Sequence, residues 1–183
     1  MHPKYFKMKK VLVFLLVSIS AISFGQDEPL NLKNALIVGQ LDKEGDRFST
    51  EITLTEFFSS KGVKSIPSLN LLKQGADLTE LAEDSLQNVL KNKGIDTYIL
   101  VSVRGYDRRF KPSEKREDFK TALSYGTLFS LYRPESVSVT FEFFIYRNGE
   151  LIRSEMIKCG NISSRATVLT RLIKKLEKKY RKW

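Results

Sequence analysis

The chain has 183 residues, with 31 Lys and Arg against 21 Asp and Glu and a formal charge of +10 at neutral pH. With 42% hydrophobic and 28% charged residues, the composition is that of a globular protein, which excludes disordered, collagenous and multi-span classes. The sole histidine, His2, sits in a leader-like start, so Ser-His-Asp and Cys-His nucleophile systems and histidine zinc sites are excluded from the rest of the chain.

Residues 1–10 are basic, Val11 to Val17 is apolar, and Ser23 and Gly25 place small side chains before Gln26. This pattern predicts a signal peptide over residues 1–25, cut before Gln26, with translation starting at Met1 or Met8. The apolar run is shorter than the roughly 20 residues that cross a bilayer. Without Lys4, Lys7, Lys9 and Lys10, the remaining 158 residues hold 27 bases and 21 acids, a charge of +6. That length predicts one domain burying about two-thirds of its unfolded surface. The only cysteine is Cys159, which leaves no intramolecular disulfide and no lipid-bearing cysteine after the leader. The expected protein is therefore exported, periplasmic or secreted, not a lipoprotein, and without a membrane span after signal removal. Cys159 itself reads as a small apolar side chain buried in a strand.

Residues 26–34 form a polar, extended lead-in to a domain over 35–183. Ala35 to Gly39 is a short unbroken apolar run, the mark of a strand covered on both faces. Residues 47–60 suit either a helix or a strand. Ile52 and Leu54 alternate, yet Phe48, Ile52 and Thr55 share a helical face and Gly62 is placed to end a helix, so we read a helix. Val63 to Ser68 is a second strand. Thr79 is expected to cap a helix whose apolar face holds Ala82, Leu86, Val89 and Leu90, ended by Gly94. Ile95 to Val103 is a third strand, and the alternation of strand and helix implies parallel pairs.

Residues 104–134 read as a long charged and aromatic loop. Val137, Val139, Phe141, Phe143 and Ile145 alternate up to the turn pair Asn148-Gly149, and Leu151 to Cys159 returns as the second arm of a β-hairpin. A two-residue turn pairs Arg147 with Glu150 but sets Glu142 against Glu155, which predicts a bulge or a solvent-facing edge. Ser163 or Ser164 starts a last helix whose apolar stripe is Val168, Leu172, Leu176 and Tyr180. The expected fold is α/β (α+β), a five-stranded mixed sheet with three main helices packed on it, in the order β-α-β-α-β-β-β-α.

No phosphate-loop or dinucleotide motif occurs, Gly39 alone being no such signal, and no cofactor or metal site is read. Carboxylates such as Glu80, Glu83 and Asp84 fall in a first helical turn, where acids complement the helix dipole. Two features suggest recognition. The last helix is rich in Lys and Arg, which cover the solvent side of an amphipathic helix and also suit an anionic membrane surface or glycan. Nucleic acid is disfavoured by export. In the loop, Tyr106, Arg108, Arg109, Phe110, Tyr125, Phe129, Tyr132 and Arg133 interleave aromatics with bases and form a candidate partner-binding patch, with a mobile loop as the bland reading.

The order of these pieces resembles a group of small bacterial envelope proteins, among them the curli-export channel subunit, the penicillin-binding-protein activator lipoproteins and the N-terminal domain of the Tol-system propeller protein. It rests on Ala35 to Gly39, the Lys61 to Ser68 and Lys93 to Val101 steps, the hairpin, and Ala166 to Leu169 opening the last helix. The resemblance implies helices on a mixed sheet and a non-enzymatic module of envelope assembly acting through protein contacts. This chain lacks the lipid-bearing cysteine of many of these proteins, so neither anchoring nor pore formation carries over, and no functional residue does. The alternatives are a peripheral membrane-surface protein using the basic last helix and a carboxylate-dependent hydrolase of envelope material. The envelope partner and the oligomeric state are not written in the sequence.

Overall fold

Five strands form one mixed sheet in the order β2-β1-β3-β4-β5. They are β1 (Asn34–Gln40), β2 (Lys64–Pro67), β3 (Thr97–Tyr106), β4 (Ser138–Arg147) and β5 (Glu150–Gly160). β1 pairs in parallel with both β2 and β3, whereas β3–β4 and β4–β5 are antiparallel. The helices are α1 (Glu44–Ser60), α2 (Asp84–Asn92), α3 (Phe119–Leu123) and α4 (Arg165–Tyr180). The structure is a computed structural model that describes residues 29–73, 75–112, 117–126 and 129–183. Residues 31–182 form one compact unit by themselves. The expected signal peptide over 1–25 lies outside the described residues.

Alternation along each strand sends side chains to two faces. On one face, Leu36, Val38, Tyr98, Leu100 and Tyr146 join Leu81 and Leu90 and the α3 residues Phe119, Ala122 and Leu123 in one cluster. Tyr98 stacks on Phe119 with ring centroids 4.5 Å apart. On the other face, Ile37, Ile99, Val101, Phe141, Phe143 and Ile145 are fully buried. That face is covered by α1 and α4, whose Phe57 and Tyr180 rings meet edge to face at 5.8 Å. The sheet is therefore enclosed by helices on both sides, which explains why β1 and β3 read as nearly continuous apolar runs.

Residues 47–60 are helical, as read, because Leu54, Phe57 and Phe58 are buried at helical spacing. The helix expected from Thr79 is corrected. A 3-10 turn over Leu78–Ala82, capped by Asp77, ends at Glu83 in extended backbone, and α2 starts afresh at Asp84. Val89, placed on the apolar face, is exposed, and Leu90 carries the burial. The 104–134 segment is not all loop: β3 runs to Tyr106, and Asp118 caps the short α3 by accepting from Thr121 N at 2.8 Å. Five residues are too few for a periodic pattern to show in sequence.

Asn148 and Gly149 both have positive φ, 52° and 85°, the two-residue turn their identities predicted. Arg147 faces Glu150 as expected, and a bulge between Ile145 and Tyr146 shifts the rest of the register. Glu142 then faces Met156 and Glu155 faces Phe143, so the like-charge pair never forms. Glu155 pairs with Lys179 of α4 instead.

Cys159 is fully buried in β5, and burial pushes its thiol up to about 12, with Lys175 opposing the shift. In the folded protein it should resist a thiol reagent at pH 8 and react only on addition of denaturant; rapid labelling under native conditions would contradict this burial.

Candidate functional site

β1 and β3 lie side by side, with Gln40 at the C-terminal end of β1 opposite Ser102 in the middle of β3. Beyond β1 the chain enters α1 on one face of the sheet; beyond β3 it runs towards α3 on the other. A cavity of about 770 Å³ lies on the α3 face of the sheet, over the middle of β3 and β4 and beside the end of β1.

Its floor is two rows running across the sheet. Gln40, Ser102 and Glu142 form a polar row, and Leu100 and Phe144 form an apolar row beside it. One wall is α3 and its C-terminal turn, with Ala122 and Tyr125, held by Gln40, whose Nε2 donates to the Ala122 and Tyr125 carbonyls. Arg109, Phe110, Lys111 and Phe129 supply the other walls.

A β-bulge between Val103 and Gly105 makes Arg104 the extra residue of β3 and turns it toward the cavity. Its Nε lies 3.7 Å from Glu142 Oε2. Glu142 is only 2% exposed, so a carboxylate that sequence alternation assigned to a bulge or solvent edge is buried beside a cation. The second carboxylate, Glu117, accepts a hydrogen bond from Tyr125 Oη at 2.6 Å. This contact, with some desolvation, raises the Tyr125 phenol above its usual value.

Gly105 shapes the wall. Its φ is +147°, and a Cβ there would meet Phe110 Cζ at 2.6 Å. The Phe110 ring therefore lies directly on the glycine backbone, a contact that any side chain at 105 would displace. Asp107, at φ 53°, closes the same turn. Burial raises its carboxyl, but hydrogen bonds from Ser138 N, Ser138 Oγ and Val137 N outweigh that and hold it below the usual range.

Of the residues singled out in sequence, Arg109, Phe110, Tyr125 and Phe129 line this cavity. Tyr106, Arg108 and Arg133, with Phe110 and Phe129, line a neighbouring recess of about 430 Å³. Arg104, Phe110 and Phe129 line both recesses. Tyr106 donates from its hydroxyl to the Ser130 carbonyl and meets Phe129 edge to face at 5.8 Å. Tyr132 lines neither recess. Sequence reasoning missed Gln40, Ser102 and Glu142, whereas Arg104 opens the basic and aromatic segment singled out in sequence and lines the cavity with Arg109 and Phe110. A glutamine directly after an apolar strand was the one signal available, since Ser102 and Glu142 meet it only through strand pairing. No group of three or more His, Cys, Asp or Glu able to hold a metal occurs among the described residues.

No family model and no curated protein sequence matches the chain. Solved structures of similar fold include lipoprotein GNA1162 from Neisseria meningitidis, with 12% identity, a TM-score of 0.45, and coverage of 80% of this chain and 95% of that one. The PelC dodecamer from Paraburkholderia phytofirmans aligns with 13% identity and a TM-score of 0.44, over 81% of this chain and 86% of that one. A single-residue variant of the same PelC gives 12% identity and a TM-score of 0.43, over 79% and 84%.

The expectation that the chain is not a lipoprotein is corrected, because one of the aligned proteins, GNA1162, is a lipoprotein. Among the described residues no helix is long and apolar enough to cross a membrane.

Proposed function

We propose that this chain is a non-enzymatic binding or assembly module of the bacterial envelope, with its partner docking at the cavity over β3 and β4. The observation that carries this reading is the convergence of Arg109, Phe110, Tyr125 and Phe129 on one recess above the polar row of Gln40, Ser102 and Glu142. Aromatic and arginine side chains around a recess are the residue types that dominate binding energy at protein interfaces. The mixed lining suits a protein segment that offers an apolar side chain beside an acidic group.

The test is a pull-down from envelope extract with wild type, Phe110→Ala and Arg109→Glu, each checked for unchanged thermal stability. A partner retained by wild type should bind roughly 30-fold more weakly to Phe110→Ala, as loss of a central aromatic anchor generally costs about 2 kcal/mol. Equal retention by all three would remove this cavity from the reading.

A second reading, a carboxylate-dependent hydrolase, has one observation in its favour: Glu117 and Glu142 line the same cavity. Each is engaged by a neighbour, Tyr125 and Arg104 respectively, which gives both a structural role. Cleavage of cell-wall material that disappears in both Glu117→Gln and Glu142→Gln would favour the hydrolase over the module.

A further inference from the structure

α4 presents a cationic face away from the sheet. Its inward stripe, Val168, Leu172 and Leu176, is fully buried. Arg171, Lys174, Lys175 and Lys178 are exposed, and so are Arg181 and Lys182 just beyond the helix. Steps of three and four residues put most of these on one side, spread over about 16 Å of helix length.

The acids that could neutralise this face are already engaged. Glu177 is held by Lys61 at 2.6 Å, and Glu155 by Lys179. Among the described residues, none of the six exposed cations makes an ion pair. The aromatic residues of this stretch are not exposed: the Tyr180 ring lies against Phe57 and Phe58, and Trp183 is buried. The face therefore offers charge without a stacking platform, which disfavours glycan rings and bases, both of which are gripped through aromatic faces. It also lacks an exposed apolar stripe that would insert into a bilayer.

We infer that the outer face of α4 docks on an anionic phospholipid surface, held by charge at the headgroups and not by insertion. Six Lys and Arg on one helical side is the density at which anionic headgroups are recognised. The inference is independent of the cavity reading, since α4 and the cavity lie on opposite faces of the sheet.

The experiment is cosedimentation of the full chain with vesicles containing about 30 mole per cent phosphatidylglycerol in phosphatidylcholine, and with pure phosphatidylcholine, at low and high salt. A triple variant, Lys174→Glu, Lys175→Glu and Lys178→Glu, is compared with a control carrying the same charge change elsewhere, Lys33→Glu, Lys73→Glu and Lys91→Glu. All six are exposed positions, so thermal stability should be retained in both variants. Residues ahead of the described unit are identical in all three proteins and cancel from the comparison. The α4 variant should lose on the order of 100-fold in partitioning to the anionic vesicles at low salt, and the control much less. Equal loss in both variants would mean that only net charge matters and would overturn the inference, as would equal binding by all three proteins. Binding of soluble polyphosphate without binding to the vesicles would overturn the lipid assignment.

Discussion

Leu172→Ala is expected to destabilise the protein by about 2–5 kcal/mol, read as a fall in the urea midpoint at unchanged slope. Leu172 is fully buried at the centre of the α4 stripe, one turn from both Val168 and Leu176. Deleting its isopropyl group removes contacts with a close-packed layer and leaves a void, because the helix is tied at both ends. At its start Ser164 and Thr167 form a reciprocal capping box, and Arg165 Nε lies 2.9 Å from buried Asp46 Oδ1. Near its end Lys61 and Glu177 join it to the end of α1. A helix so pinned collapses poorly onto a void, which favours the upper part of the range. Lys174→Ala and Lys178→Ala, by contrast, should stay within about 0.5 kcal/mol of wild type. Unchanged stability in Leu172→Ala would mean that α4 is not part of the core.

Glu51→Ala should cost about 3–5 kcal/mol, from a different cause. The Glu51 carboxylate is fully buried and accepts four hydrogen bonds, with Oε1 taking Gly39 N at 2.9 Å, Arg47 Nε at 3.0 Å and Ser68 Oγ at 2.7 Å, and Oε2 taking Leu69 N at 3.1 Å. One side chain of α1 thus joins the end of β1 to the segment that follows β2. Its removal strands two backbone N–H groups in the interior, where unmet polar groups are expensive, and leaves the partly buried Arg47 guanidinium without its anionic partner, holding only Ser68 Oγ. The close approach depends on Gly39, where an added Cβ would lie 3.2 Å from Glu51 Cγ. Arg47→Ala combined with Glu51→Ala should cost less than the sum of the single changes, because the second change removes a charge already left without its partner. A Glu51→Ala loss below about 1 kcal/mol would show that this network does not hold the layers together.

The elements with strong periodicity were legible in the sequence. The β1 and β3 runs, the Asn148-Gly149 hairpin and the stripe of α4 all appear where their patterns placed them, since burial of one face imposes a period that composition cannot hide. Even the bulge was foreshadowed, because pairing Glu142 with Glu155 was untenable. The breaks within residues 78–92 and 104–134 were not legible. A 3-10 turn and a five-residue helix are too short to carry a period, and their ends are set by Asp77 and Asp118 caps that resemble any other loop acids.

The cavity divides along the same line. Its aromatic and basic rim, Arg109, Phe110, Tyr125 and Phe129, stands out by residue type within one stretch of chain. Its floor does not. Gln40, Ser102 and Glu142 lie far apart in sequence and become neighbours only because β3 is inserted between β1 and β4. Gly105 acquires its meaning only when Phe110 folds back onto it. By itself the sequence determined the buried faces of the strands and of α4, because hydrophobic periodicity is a local property; in α1 it pointed to the Phe48 face, whereas Leu54, Phe57 and Phe58 are buried and Phe48 is exposed. Strand order, the burial of Glu142 and Glu51, and the recess over β3 and β4 were decided by tertiary structure, because each is a relation between segments with no local trace.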